Sequence, residues 1–574
     1  MEIVLAFFVY FLIVFGICSI QFRNGGKFEN IIIVYIFFIS IYAILKTNGE
    51  SLYWAPFVLI IISIFKLDLK FKLSYPKIDD IVSSIVIWGL FFGLYFVLNN
   101  FKFGVFHEDY IIYSRIAHYN DVIGVENTKS IYNVFQSDIS NEVYHFSELW
   151  GIAILRCFTS LSLLVNYVFV LAPIFSFIIY LGFKDVFPSS NFWIALLAII
   201  ILLFVSSPYD KLVRLFDMNL PMLGVGDSIL TIKNIFIIPI FLYLFISLRI
   251  DNFNFLKLSI LIFMYPLVIP VVVPSICIYF LVVNKYPIKY YCYPIFVILF
   301  FFVYSFIFSS GAQLLNISNF FNYSVLAKVF FIGLCVGSSI FFINWKLFNS
   351  DKEDKDYYFI SIIIIIISLL LWVLFYQNIN SNQFFRNTFH SLICIQITYI
   401  IVNNLFRMKY LVSVLLIVVF IVPFVFNDFN FVVDSLAEEN IDISSLTKNS
   451  NIVFIPDINK EQSIYDYIDY MYNDLNTFYF HNEYLNILSV SGSFPISEKI
   501  DSRIELDLLS YYRGFSPFFN TCGELSLNNL SCLRSFCLDH NVEFIISNIK
   551  NGPLEINNPK IFLGQYYIYN VKNF

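Results

Sequence analysis

YYFISIIIIIISLLLWVLFY occupies residues 357–376, and no side chain in it is charged. A helix needs about 20 predominantly apolar residues to cross the hydrocarbon core of a bilayer. Similar runs recur through most of this 574-residue chain, which is 59% hydrophobic and only 13% charged. A soluble domain carries about 25% charged residues. The stretch and its repeats therefore predict an integral membrane protein built as an all-α, multi-span bundle.

The apolar runs predict about fourteen transmembrane helices, each long enough for a short or a full span. We place them near residues 3–20, 30–46, 53–67, 81–98, 161–182, 191–206, 230–248, 255–267, 269–283, 293–309, 325–343, 357–376, 388–404 and 410–426. The first run lacks a basic n-region and an A-x-A cleavage site, so we expect a retained anchor. Residues 255–283 contain Pro266, Pro270 and Pro274. This segment fits two short spans, a kinked helix or a re-entrant pair.

Basic residues predict the orientation, because short cytoplasmic loops of membrane proteins are enriched in Lys and Arg. Every odd-numbered connection is basic: Arg23 and Lys27; Lys66, Lys70, Lys72 and Lys77; Lys184; Arg249 and Lys257; Lys285 and Lys289; Lys346, Lys352 and Lys355; Arg407 and Lys409. We therefore expect a cytoplasmic membrane protein whose odd connections face the cytoplasm. The long loop 99–160, the shorter loops 207–229, 310–324 and 377–387, and the tail 427–574 are then outside.

The tail predicts a second domain, so that residues 1–426 form the transmembrane domain and residues 427–574 form an extracytoplasmic α/β domain. Residues 452–455, 487–490, 543–547 and 561–571 have the pattern of strands, and residues 462–476 and 530–540 that of helices. About 145 residues suffice to bury a separate core. Cys522, Cys532 and Cys537 lie in this tail, and one pair of them would bridge in an oxidising compartment.

Several function classes are disfavoured by the sequence. The net charge of -6 and the lack of a basic stripe argue against nucleic acid as a partner. No G-x-x-x-x-G-K-[ST] motif indicates a nucleotide-driven pump, and no H-E-x-x-H helix indicates a metalloprotease. The predicted spans are nearly free of charges, whereas ion-coupled transporters usually bury acids or histidines at mid-membrane.

The loop 99–160 carries the densest polar chemistry of the chain. It opens with His107, Glu108 and Asp109, followed by apolar residues at helical spacing, whereas Arg115, His118 and Asp121 lie off that apolar face. This pattern predicts an amphipathic helix along the membrane surface, with Asp109 in its first turn. An acid in that position also simply stabilises the helix dipole, and spacing alone favours this structural interpretation.

A second polar motif of the loop, residues 144–150, precedes the next helix. His145 and Glu148 are three residues apart and therefore share a helical face. They fit a local hydrogen bond, with Trp150 as an interfacial anchor. They also fit two ligands of a divalent metal, although two candidate ligands are a weak signal and no set of residues has the spacing of a zinc site.

Residues 107–124 and 144–150, together with the spans that follow and the external tail, resemble the GT-C superfamily of integral membrane glycosyltransferases. Its members include protein mannosyltransferases, aminoarabinose transferases and arabinosyltransferases. The resemblance implies transfer of a sugar from a polyprenyl-phosphate donor to a glycan, lipid or protein acceptor on the external face. It also implies that an acid of the first loop is the general base on the acceptor hydroxyl, with Asp109 as first candidate and Glu108 as second.

A lipid-phosphate donor requires cations, and Arg suits phosphate because its planar fork binds two oxygens. Arg386, beside Gln383 in the loop 377–387, is the preferred phosphate ligand, although an interfacial Arg that snorkels to water fits equally well. The other predicted substrate-binding residues are His107, His145, Glu148, Lys211, Arg214 and Gln383. Asp217 and Asp227 fit the same cavity or, more simply, a solvated turn.

Two alternative functions stay open at this point. The first is a polysaccharide polymerase or ligase of the O-antigen type, which also uses lipid-linked glycans but usually has its large external loop late in the chain. The second is a transporter of a lipid-linked glycan, which would carry charged positions inside its spans. A product assay separates the first from single-sugar transfer, and liposome transport without a chemical product would establish the second.

Overall fold

The computed structural model describes most of the membrane part and short segments of the tail. The described residues are 2–23, 25–47, 54–67, 69–99, 101, 109–124, 126, 145–159, 161–187, 192–205, 233–249, 253–283, 291–308, 323, 325–327, 329–331, 352–375, 383–406, 410–421, 451–455, 486–490, 530–539, 541–547, 561–563 and 566–573.

Helices make up nearly all of the described membrane part. They are α1 (Glu2–Ser19), α2 (Lys27–Lys46), α3 (Ala55–Phe65), α4 (Ile78–Val97, ending in a π-helical segment), α5 (Asp109–Ile123), α6 (Phe146–Phe158), α7 (Leu163–Val186, π-helical over Asn166–Leu171), α8 (Phe192–Phe204), α9 (Ile238–Arg249), α10 (Phe255–Leu261), α11 (Ile269–Val283), α12 (Cys292–Phe308), α13 (Lys352–Leu374), α14 (Gln383–Phe406) and α15 (Tyr410–Phe420). The predicted class of a helical membrane protein is therefore confirmed.

Six of these helices, α1, α2, α4, α7, α13 and α14, are long and apolar enough to cross a membrane. Shorter apolar helices lie at other predicted spans, among them α3, α8, α9 and α11. The count of fourteen stays a prediction, and most of the predicted span 325–343 lies outside the described residues.

Helix α7 lies at the centre of the bundle and α1 at its edge. Every residue in the most apolar window of α7 is buried, against 22% in that of α1. Phe8 and Leu12 of α1 are more than half exposed. A helix that is apolar on all sides is stable at the edge only if lipid solvates its outer face, which fits the role of α1 as a membrane anchor.

The basic connections meet at one end of the bundle. Lys184 forms an ion pair with Asp80 at 2.6 Å, which joins the fifth connection to the third. Lys257, of the seventh connection, pairs with Glu29 of the first. The first and third connections also pair as short antiparallel strands, β1 (Ile20–Phe22) and β2 (Phe71–Leu73). The first, third, fifth and seventh connections thus lie together, as the alternating orientation requires, and the prediction that this end is cytoplasmic stays a prediction.

The proline-rich segment 255–283 forms two helices separated by a break at Tyr265. Helix α10 tightens into a 3-10 turn over Ile262–Met264, and a second 3-10 turn over Pro266–Val268 leads into α11. Tyr265 has φ −147° and ψ 89°. The residue before a proline is pushed out of the helical region by the proline ring, so Pro266 accounts for the break.

The described tail contains a five-stranded sheet. Its strands are β3 (Asn451–Ile455), β4 (Asn486–Val490), β5 (Phe544–Ser547), β6 (Ile561–Leu563) and β7 (Tyr566–Asn570), in the order β4-β3-β5-β7-β6. Strand β3 pairs in parallel with β4 and β5, whereas β7 pairs antiparallel with β5 and β6. The single strand predicted over residues 561–571 is wrong, because the chain turns back on itself there. The predicted helix 462–476 lies outside the described residues, and a separate external domain stays a prediction.

A helix precedes β5, as the sequence predicts. Helix α16 spans Leu530–Asp539. It is followed by Asn541, which has a left-handed φ of 51°. Val542 N–H donates to the carbonyl of Cys537 at 2.8 Å, and Asn541 N–H donates to that of Leu538. This is the Schellman arrangement, which satisfies the last carbonyls of a helix. Cys537 is a buried free thiol, so the predicted bridge does not involve it.

Candidate functional site

Helix α5 begins at Asp109, as predicted, but it does not lie on a surface with a solvated polar face. His118 was assigned to that face, yet His118 and Asn120 are both completely buried. The guanidinium of Arg156 on α6 contacts the Nδ1 atom of His118. The surface-helix prediction is therefore wrong for these positions, because α5 packs into the bundle where polar side chains satisfy one another.

Helix α6 runs alongside α2, and its first turn lies deep in the bundle. The hydroxyl of Tyr35, near the middle of the 20-residue helix α2, donates to the carbonyl of Ser147. Toward the end of α2, the hydroxyl of Tyr42 reaches the carbonyl of Ala153 at 3.4 Å and Cys157 Sγ at 2.9 Å. The start of α6 therefore lies level with the middle of a spanning helix.

Two close contacts fix this depth. Trp150 is completely buried and packs edge-on against Phe57 at 6.0 Å between ring centroids. Its predicted role as an interfacial anchor is therefore wrong. One residue later, a Cβ atom at Gly151 would meet the hydroxyl of Tyr35 and lie 3.0 Å from Leu171. Only glycine allows α6 to approach α2 and α7 this closely.

The predicted pair of His145 and Glu148 forms at this deep end. His145 is the N-cap of α6 and Glu148 is in the first turn, with His145 Nδ1 2.6 Å from Glu148 Oε2. Both side chains are buried, with relative exposures of 0% and 1%. An ionised carboxylate only accepts hydrogen bonds, so the Nδ1 N–H of His145 donates to Glu148 Oε2. The helix N-terminus further stabilises the negative charge of Glu148.

Glu126 adds a second buried carboxylate to the same helix end. The backbone N–H of His145 donates to Glu126 Oε1 at 2.5 Å, and the Glu126 side chain is fully buried. A carboxylate that accepts from a backbone N–H at a helix start makes a strong, charge-assisted hydrogen bond. Glu126 was not among the predicted site residues. A turn between α5 and Glu126 is indicated in the sequence by Gly124. This glycine follows α5 and has a left-handed φ of 84°.

Tyr265 connects this helix end to α14. Its ring packs perpendicular to that of His145, 5.1 Å between centroids, and its hydroxyl accepts from Asn387 Nδ2 at 2.9 Å. The same hydroxyl donates to Gln383 Oε1 at 3.5 Å. Next to it, Ser147 Oγ donates to the carbonyl of Met264. The start of α6, the break at Tyr265 and the start of α14 thus meet in one place.

We call Glu126, His145, Glu148, Tyr265, Gln383 and Asn387 the buried polar cluster. It brings the predicted site residues His145 and Glu148, which are neighbours in the chain, together with the distant predicted residue Gln383, through Tyr265. Arg386 lies in the first turn of α14 and is half-buried. The remaining predicted site residues lie outside the described structure: His107, Glu108, Lys211 and Arg214 entirely, and Asp109 in its side chain.

Sequence reasoning missed Tyr265 and Asn387 in addition to Glu126. Tyr265 carried a signal, since a residue before proline between two short apolar helices marks a break where polar groups gather. The only sequence feature that pointed to Asn387 was its position next to Arg386. Neither feature predicts that Tyr265 and Asn387 are in contact.

A second group of charges lies where α2, α5 and α6 come together nearer the end of α2. Lys46 Nζ is 2.6 Å from Asp121 Oδ1, and the hydroxyl of Tyr42 also donates to this carboxylate. Asp121 is partly exposed, as predicted for a residue off the apolar face. This group holds α5 on α2.

Metal binding gains no support from the geometry. Within the described part of the chain, no group of three or more His, Cys, Asp or Glu side chains is arranged to hold a metal ion. A divalent metal at His145 and Glu148 therefore stays an open alternative.

Comparison with known proteins gives no relative from which a role can be read. No family model, no curated protein and no solved structure matches this chain. The function proposed below therefore rests on the buried polar cluster and on the resemblance of residues 107–124 and 144–150.

Proposed function

We propose that this protein is a membrane glycosyltransferase that moves a sugar from a polyprenyl-phosphate donor to a hydroxyl group of a glycan, lipid or protein acceptor. The observation that carries this proposal is the convergence of His145, Glu148 and Gln383 in the buried polar cluster. His145 and Glu148 belong to one motif, whereas Gln383 lies more than 230 residues later in the chain, and the sequence predicts all three as substrate ligands. Two carboxylates, two amides and one tyrosine that converge beside a helix break form a polar site inside an apolar bundle, which a lipid-linked substrate would reach from the membrane.

The donor phosphate would bind at the start of α14. Arg386 lies in the first turn of this helix, and the first backbone N–H groups of a helix have no acceptor within the helix. A helix N-terminus together with an arginine is a favourable environment for phosphate. Gln383, three residues before Arg386, ties this turn to the buried polar cluster.

The general base would act at the start of α5. Position 109 is one helical turn before Tyr113, and the ring of Tyr113 lies 4.6 Å from that of His145. One turn of helix rises about 5.4 Å. Asp109, with Glu108 as the second candidate, would therefore begin α5 about one turn from a ring that touches the buried polar cluster, within reach of an acceptor bound beside it.

The test is a transfer assay on the purified full-length chain with a panel of polyprenyl-phosphate sugars, in which release of polyprenyl phosphate is measured by mass spectrometry. Asp109→Asn removes the base and keeps the size of the side chain, so we expect a loss of about 100-fold or more. Asp539→Asn, on α16 in the tail, is the matched control and should keep full activity.

Two results would contradict the proposal in different ways. Full activity of Asp109→Asn would reject Asp109 as the base. Absence of any transfer by the wild-type chain, with every donor and with membranes as the acceptor source, would reject glycosyl transfer itself. Joining of long glycan chains instead of addition of one sugar would favour the polymerase or ligase alternative.

A transporter of a lipid-linked glycan is the second candidate, and one observation favours it. The near absence of charges in the predicted spans argues against a transporter, yet Glu126, His145 and Glu148 are buried deep in the bundle beside the break at Tyr265. Ionisable groups next to broken helices are typical of transport sites. Movement of a fluorescent polyprenyl-phosphate sugar across liposomes by the Asp109→Asn variant, without a chemical product, would support transport over transfer.

A further inference from the structure

The first turn of α14 is held on both sides of Arg386. On one side, the ring of Phe385 stacks on Trp372 of α13, with 5.9 Å between centroids and 14° between the ring planes. On the other side, Asn387 Nδ2 donates to the hydroxyl of Tyr265 at 2.9 Å. Phe385 and Asn387 are both buried, whereas Arg386 between them is half-buried. The backbone that carries Arg386 is therefore anchored on both sides.

The anchor provided by Tyr265 is itself rigidly placed. Tyr265 is completely buried, and its backbone stands in the break that Pro266 imposes. The preceding carbonyl, of Met264, accepts from Ser147 Oγ on α6. The ring lies against that of His145. The contacts with α6 and the break at Pro266 thus fix the position of the Tyr265 hydroxyl, to which Asn387 of α14 is hydrogen-bonded.

We propose that Tyr265 is a positioning residue that holds the first turn of α14 so that Arg386 can bind the phosphate of the lipid-linked donor. This proposal rests on the proposed function and adds a residue to it. An arginine binds phosphate well only when its planar fork faces two oxygens, so a small rotation of the helix turn weakens the contact. The hydrogen bonds of Tyr265 with Asn387 and Gln383 oppose this rotation, together with the stacking of Phe385 on Trp372.

A purely structural role of Tyr265 predicts something different. Loss of a buried hydrogen bond lowers the stability of the fold, but it does so whether or not Arg386 is present. A positioning role acts through Arg386, so its effect on phosphate binding disappears once Arg386 has been replaced. A double-mutant cycle separates these two cases.

The experiment titrates a long-chain polyprenyl phosphate into the purified full-length chain, with the uncharged polyprenol as the reference ligand. We expect Arg386→Gln to weaken phosphate binding about 100-fold, since hydrogen bonds to charged groups are strong. Tyr265→Phe removes the hydrogen bonds with Asn387 and Gln383, so it should weaken phosphate binding about tenfold. In the double variant, Tyr265→Phe should add less than about a twofold effect, and polyprenol binding should stay unchanged in all variants.

Tyr10→Phe is the matched control. The hydroxyl of Tyr10 is also buried and donates to the carbonyl of Ser84 at 2.8 Å, between α1 and α4. Its loss should change the melting temperature but not the affinity for polyprenyl phosphate. Asn387→Ala removes one of the two hydrogen bonds of Tyr265, so it should weaken phosphate binding in the same direction, and it replaces Tyr265→Phe if that variant does not fold.

The outcomes distinguish this inference from the proposed function. If the wild type binds polyprenyl phosphate and Arg386→Gln weakens binding, but Tyr265→Phe has no effect or an effect that simply adds, the positioning role is overturned and the donor site stands. If the wild type binds polyprenyl phosphate no better than polyprenol, the donor site fails, and the positioning role fails with it.

Discussion

His145 Nδ1 lies 2.6 Å from Glu148 Oε2, and both side chains are buried beside the middle of α2. Three residues apart, the two form a local pair that any exposed helix start could carry. Here, instead, the pair lies at the buried start of α6, between α2 and the break at Tyr265. Burial raises the free-energy cost of separating the pair, because a charge inside a bundle is tolerated only with a partner.

This burial predicts a large cost for removing either partner. His145→Ala leaves the Glu148 charge without its imidazole, and Glu148→Ala leaves the imidazole without its carboxylate. Breaking a buried pair in this way costs about 3–5 kcal/mol. We expect both variants to unfold at clearly lower denaturant concentration in detergent, and the double variant to be less destabilised than the sum. Ser535→Ala, exposed in the tail, is the control, and a strictly additive double variant would contradict the pairing.

Gly151→Ala should destabilise the contact between α6 and α2. The new Cβ would meet the hydroxyl of Tyr35, and overpacking of this kind costs about 1–3 kcal/mol. Tyr35→Phe removes that hydroxyl, so the double variant should regain much of the stability lost in Gly151→Ala. Thermal unfolding of the four chains measures this, and a double variant no more stable than Gly151→Ala alone would contradict the packing.

Cysteine labelling tests the predicted orientation. Tyr75 is 97% exposed in the third connection, and Arg534 is exposed on α16 in the tail. In a chain with its native cysteines replaced, we expect Tyr75→Cys to react with a membrane-impermeant maleimide only after the cells are opened. Arg534→Cys should react in intact cells, once any outer barrier is permeabilised. Labelling of both positions from the same side would contradict an external tail.

The Cys537 thiol should be unreactive in the folded tail. Burial raises its pKa from the ordinary value of 9.0 to about 12, so the thiol stays protonated, and only a thiolate is a good nucleophile. We expect maleimide to reach Cys537 at neutral pH only after unfolding, as measured by mass spectrometry of the labelled peptide.

The same pKa shift has a consequence for stability. The folded state favours the protonated thiol, so its stabilising contribution is fully present below pH 9 and is lost as the pH rises toward about 12. Cys537→Ser should therefore show less loss of tail stability over this range than the wild type. An equal loss in both chains would contradict the assignment to Cys537.

The sequence predicts the helical elements well, because their signals are local. The apolar runs predict α1, α2, α4, α7, α13 and α14 by length and hydropathy alone. The basic connections predict a common side for Lys184 and Lys257, whereas their ion pairs with Asp80 and Glu29 were not predicted. The i, i+3 spacing of His145 and Glu148 predicts their hydrogen bond.

The surface position predicted for α5 fails for a physical reason. Helical periodicity reports which residues share a face, but not whether water or another helix covers that face. His118 has the same spacing whether it is solvated or, as here, buried against Arg156. The single strand predicted for residues 561–571 fails similarly, since a run of β-forming residues does not by itself show where the chain reverses.

The sequence by itself determined that this chain is a helical membrane protein, that the prolines of residues 255–283 interrupt or shorten helices there, and that His145 and Glu148 share a helical face. Only the tertiary structure decided that this pair lies deep in the bundle, against Tyr265 and near Asn387. The reason is that helices far apart in the chain choose their neighbours by packing, and no local pattern of residues records which partner a face will meet.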